Sequence, residues 1–139
     1  LGCVVATLAD LPHIRKTIFL APPIENDYSK SVEYFSRNPL TTIDMNGTSR
    51  LARRDGTFTL VPPEYWLERK SLNFKELYGK YIAHNDVYVV KASLDELISN
   101  EETETIFKGA NLLELESDHD FKDVARPLLV SLCEKLVTR

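Results

Sequence analysis

The chain has 139 residues, of which 43% are hydrophobic and 27% charged, and its net charge at neutral pH is −4. That length suits one domain and is short for two, and the apolar fraction supports a packed core rather than disorder. The acidic balance speaks against nucleic-acid binding, no apolar run approaches the ~20 residues of a bilayer span, and no stretch reads as a secretory signal.

The opening LGCVVATLADLP already carries a helical pattern, with Cys3, Val4, Leu8 and Leu11 at helical spacing and Pro12 after the last turn, so a helix is expected over 2–11. It has neither an N-cap nor a preceding strand, and the only methionine is Met45, so the chain reads as one entered partway through a fold. Cys3 and Cys133 are too few for a disulfide framework. Both fall in apolar helical patterns and are expected as reduced, buried thiols, in keeping with a cytoplasmic protein. Residues 16–21, KTIFLA, form a short apolar run stopped by Pro22-Pro23, the pattern of a buried strand with a turn at its carboxyl end. A short helix with Tyr28, Val32 and Phe35 is expected over 28–36.

The middle changes character. Runs at 48–52 and 57–61 flank Arg53-Arg54-Asp55-Gly56, and Asp-Gly between β-prone runs predicts a hairpin. The basic stretch Arg50–Arg54 therefore reads as a solvated hairpin edge rather than a nucleic-acid-binding face. Pro62-Pro63 ends the second strand, and helices follow over 63–70 and 73–83. Residues 86–91 form a Val- and Tyr-rich strand. Asn100 is placed to cap an acidic-fronted helix over 101–108. A strand over 111–116 leads into a long amphipathic helix over 121–138, with Val124, Leu128, Leu132 and Leu136 on one face.

Strands separated by helices predict an α/β fold with a parallel sheet and right-handed crossovers, and the hairpin region is an insertion in that scheme. In such sheets chemistry gathers at the carboxyl ends of strands. Three places qualify: Pro22-Pro23, Ser93-Leu94-Asp95 and Ser117-Asp118-His119-Asp120. If the last two strands are parallel neighbours, Asp95 and His119 open on the same edge, where the carboxylate can fix the tautomer of the imidazole. Taken alone, a pair 24 residues apart is weak evidence for catalysis, and ordinary loop polarity is the simpler reading. Asp118, His119, Asp120 and Asp123 have metal-ligand chemistry, but neighbours on an extended loop point apart, and no second histidine has ligand spacing, so no metal is expected. His13 and His84 fall at the opposite edge and read as surface residues. Tyr65 and Trp66 read as packing residues, with the lining of a substrate pocket as the alternative.

The segment VYVVKASLDELIS, a helix, LLELESDHDF and a final amphipathic helix together resemble the end of an α/β-hydrolase. KTIFLAPP resembles the strand that follows the nucleophile-elbow helix, and Leu1-Gly2 resembles the last two positions of the G-x-S-x-G elbow. The resemblance covers nearly all of this chain and about the last half of the family's fold, with residues 38–83 as a cap-like insertion in a single partial domain. It implies a Ser-His-Asp triad with Asp95 as the acid, His119 as the base and the serine immediately before Leu1, whose backbone N–H would supply half of an oxyanion hole. Asp118 and Asp120 are read as bystanders. The implied activity is esterase-like cleavage of a small carboxylic ester or thioester, without a cofactor. The competing expectations are a non-catalytic remnant, prone to self-associate through an exposed strand edge, and a small α/β binding module in which Asp95 and His119 lie apart.

Overall fold

The computed structural model describes residues 2–9, 11–14, 16–25, 29–53 and 55–138. They divide into two compact units, Leu1–Ile24 with Phe74–Arg139, and Glu25–Asn73.

The larger unit contains α1 (Gly2–Ala9) and β1 (Lys16–Leu20), which belong with the later elements named below. The smaller unit contains α2 (Ser29–Ser36), the strands β2 (Ser49–Ala52) and β3 (Phe58–Val61), and α3 (Pro63–Ser71). The expected hairpin is present: β2 and β3 are antiparallel, with Ala52 opposite Phe58 and Ser49 opposite Val61. Asp55 accepts from Thr57 N at 3.0 Å, and Gly56 takes φ +80°, the left-handed backbone that favours glycine. Arg50 stacks over the Phe58 ring, and Arg53 bonds Thr59, so the basic run is spent on the hairpin's own surface; Arg54 lies outside the described residues. Pro63 opens α3, where its missing N–H costs nothing. That helix drives Trp66 into a core with Leu51 and Val61, and Trp66 Nε1 donates to Ser49 Oγ at 3.2 Å. Tyr28, expected on α2, lies outside the described residues.

The larger unit continues with α4 (Phe74–Ile82), β4 (Asp86–Ala92), α5 (Asn100–Ile106), β5 (Asn111–Leu115) and α6 (Ala125–Val137). Its sheet has the order β1-β4-β5, parallel throughout, with Leu20 beside Val90 and Ala92 beside Leu115. β4 is central, and Val87, Val89, Val90 and Ala92 are all buried, as a strand covered on both faces requires. On one face Phe19 meets Tyr78 and Tyr81 of α4 and Phe107 just after α5, and Thr17 shares a buried hydrogen bond with the Tyr81 hydroxyl. On the other, Ala21, Val90, Ala92 and Phe121 form a cluster against which Leu129 and Leu132 of α6 pack. Because Tyr78 and Tyr81 belong to the sheet's core, α4 is part of the larger unit. The compact smaller unit is Glu25–Asn73, where the sequence suggested an insertion over 38–83.

Local expectations are corrected in α5, α6 and α1. The cap of α5 is Ser99, whose Oγ accepts from Glu102 N, and Asn100 is the first helical residue. The final helix begins at Ala125 rather than 121, because Phe121 and Asp123 adopt φ +48° and +49°, which no helix accommodates. The register of its buried face shifts in consequence: Val124 is 81% exposed and Leu128 59%, while Leu129, Leu132 and Leu136 turn inward. On α1, likewise, Val4 and Thr7 are buried while Leu8 is exposed, as is Leu11 beyond the helix.

Candidate active site

The β4–β5 pairing does not stop at the strand ends. Ser93 N donates to Leu115 O at 2.9 Å and Leu94 N to Ser117 O at 3.0 Å, so the two loops leave the sheet laced together. Parallel register thereby converts a separation of 24 residues into contact. His119 Nδ1 lies 2.9 Å from Asp95 Oδ2 and 3.2 Å from Oδ1. The Asp95 side chain is 2% exposed and the His119 side chain 27% exposed, a buried acid behind a half-open ring.

Asp95 is held from the other side as well. Its Oδ1 accepts from Leu97 N at 2.8 Å and Ile98 N at 2.9 Å, the habit of an aspartate folding its own turn. Burial pushes its pKa up, but the bonds from His119, Ile98 and Leu97 outweigh that and hold it below the ordinary carboxylate value. Asp95 is thus an anion at neutral pH. Its hydrogen bond raises the His119 pKa above the ordinary imidazole value against the opposing effect of burial, with further electrostatic support from Asp95, Asp120 and Glu96. Facing a carboxylate, Nδ1 carries the proton, which leaves Nε2 as the acceptor nitrogen.

The residues after His119 anchor it. Phe121 is buried against Ala21, Val90 and Ala92, and its N–H donates to Asp118 O at 3.2 Å, closing a turn around the histidine. The left-handed φ of Phe121 and Asp123 belongs to that turn; strained backbone of this kind persists only where surrounding contacts enforce it. Lys122 Nζ pairs with Asp118 at 3.3 Å and Asp120 at 2.5 Å. The two carboxylates flanking His119 in sequence therefore engage a lysine, and the histidine takes its partner from the neighbouring loop.

Among the other sequence candidates, Leu1 lies outside the described residues. His13 and His84 are exposed. Cys3 and Cys133 are free and half-buried, and burial pushes both thiols up in pKa, away from the reactive thiolate. Tyr65 packs edge-on against Trp66. Among the described residues no group of three or more His, Cys, Asp or Glu side chains is arranged to hold a metal ion, and no helix is long and apolar enough to cross a membrane. Sequence reasoning missed the Leu97 and Ile98 amides and the Lys122 clamp. An aspartate at a strand end, followed by two residues able to donate, was the available signal for the first.

Solved structures share this fold. The esterase domain of a Rhodothermus marinus protein matches with a TM-score of 0.56 at 12% identity, over 85% of this chain and 49% of that one. Est1E from Butyrivibrio proteoclasticus matches with a TM-score of 0.56 at 16% identity, over 97% of this chain and 54% of that one. The chain thus spans about half the length of each. Its architecture, parallel strands alternating with helices plus a small antiparallel hairpin, is that of a partial α/β-hydrolase fold. No protein-family model and no curated protein sequence matches the chain.

Proposed function

We propose that this chain is the C-terminal part of a serine hydrolase that cleaves carboxylic ester or thioester bonds, with its nucleophilic serine in a part of the protein outside these 139 residues. The observation that carries the reading is the 2.9 Å contact between His119 Nδ1 and a buried Asp95. It sits at the carboxyl edge of a parallel sheet, on a fold shared with esterases. His119 Nε2 takes the proton of the serine as it attacks the carbonyl carbon; Asp95 keeps the proton on Nδ1 and stabilises the imidazolium that forms. The imidazolium returns its proton to the departing alcohol or thiol, and water activated by the same nitrogen then releases the acyl group. The Leu1 N–H is assigned half of the oxyanion hole, with the other half elsewhere in the protein. The hairpin region is assigned the role of a cap, and no cofactor is required.

The test is hydrolysis of p-nitrophenyl acetate and of an acyl thioester by the whole protein and its His119→Ala variant. The expected outcome is a loss on the order of 10³-fold or more in kcat with the fold retained. Unchanged turnover in the variant would remove His119 from the chemistry. The 139-residue chain alone is expected to turn over neither compound.

A further inference from the structure

The loop that carries Asp95 begins where β4 ends, at Ala92, and ends where α5 begins, at Asn100. Asn100 Nδ2 donates to Ala92 O at 2.9 Å, so a side chain bridges the base of the loop across eight positions. The same carbonyl accepts from Asp95 N at 3.2 Å, and Ala92 is buried. Capping does not account for this asparagine. Ser99 is the cap, and Thr103 anchors the turn by donating to Ser99 O from both its N–H and its hydroxyl.

We propose that Asn100 is a positioning residue for the acid–histidine pair: by closing the loop 93–99 at its base, it holds the Asp95 carboxylate against His119. Inside the closed loop Asp95 is a hub. Its Oδ1 takes the Leu97 and Ile98 amides and both its oxygens face the ring, so a shift of Asn100 relative to Ala92 moves every bond the carboxylate makes. Without the clamp, the longer bond from Asp95 N is left to hold that carbonyl. The free loop then has more conformations to surrender before the carboxylate meets the ring. The catalytic meaning of this role rests on the reading proposed above, whereas the geometry stands without it.

The experiment therefore reads the pair directly, in the 139-residue chain, by nuclear magnetic resonance titration of histidine-labelled protein. Three histidines are present, and the exposed His13 and His84 serve as internal references. Asn100→Ala is compared with Ser99→Ala, which weakens the same helix end without touching Ala92 O. The expected result is a downward shift of the His119 midpoint in Asn100→Ala alone, with His13 and His84 unmoved. Thermal midpoints are expected to fall in both variants. If Asn100→Ala lowers the thermal midpoint yet leaves His119 titrating as in the wild type, Asn100 is structural only and the proposal is overturned. Should that variant fail to fold, Asn100→Ser carries the same comparison, since its hydroxyl is too short to span the gap. The titration reports whether Asn100 sets the pair's geometry, and it does so whether or not the whole protein hydrolyses an ester.

Discussion

A carboxylate that serves one ring and two backbone amides makes the Asp95–His119 pair sensitive to pH from both sides. The folded-state pKa of His119 is raised, so its share of the stability is complete below the unfolded imidazole value and disappears as pH climbs through the folded value. Asp95 is lowered, so its share is present above the unfolded carboxylate value and is lost as pH falls through the folded one. The pair therefore contributes most between about pH 4 and pH 6.5, the ordinary values of the two groups. Urea unfolding of the wild type and Asp95→Asn should show the widest gap in that window, narrowing on either side; a gap independent of pH would contradict the coupling. In the whole protein, the same substitution should lower kcat on the order of 10⁴-fold with little change in KM, because it leaves the ring in place with the wrong tautomer. The meeting of Asp95 and His119 was legible in sequence. Asp95 and His119 each follow a strand, and strand order did the rest; the amides and Lys122 escaped because side-chain direction in a loop has no periodicity to betray it.

Elements were legible where periodicity is strong and were misjudged where a loop borrows an apolar residue. The parallel strands and the Asp-Gly hairpin followed from apolar runs and turn chemistry. The start of α6 did not, since Phe121 fits a helical pattern while belonging to the histidine loop. Its burial makes a clear prediction: Phe121→Ala should destabilise the protein by about 3–5 kcal/mol in urea unfolding and lower the His119 midpoint, since the turn loses its anchor. The shifted face of α6 is tested by a pair of truncations. Leu132→Ala, at a position packed against the sheet, should cost on the order of 2 kcal/mol, whereas Leu128→Ala should stay within about 0.5 kcal/mol. Equal effects would restore the register read from sequence. Asn100 shows the same limit in miniature: an asparagine before an acidic turn reads as a cap, but Ser99, one residue earlier, takes that role and frees the amide for the loop.

At the scale of the molecule, the larger unit leaves large apolar side chains exposed, among them Val5 and Leu8 of α1, Leu11 and Ile14. Monomeric surfaces seldom carry many such residues close together. We therefore expect the 139-residue chain, studied alone, to self-associate with rising concentration, and Leu8→Lys to weaken that association in sedimentation velocity. A chain that stays monomeric at high concentration would count against it. The fold class was readable because alternation of strand and helix is a global pattern, whereas the identity of a substrate is written in pocket shape. The chemistry assigned to His119 is addressed directly by one reagent, a fluorophosphonate that labels only an activated serine. In the whole protein, labelling is expected in the wild type and lost in His119→Ala, with the fold of the variant verified by circular dichroism. Labelling that persists undiminished in the folded variant would contradict the assignment of His119 as the base.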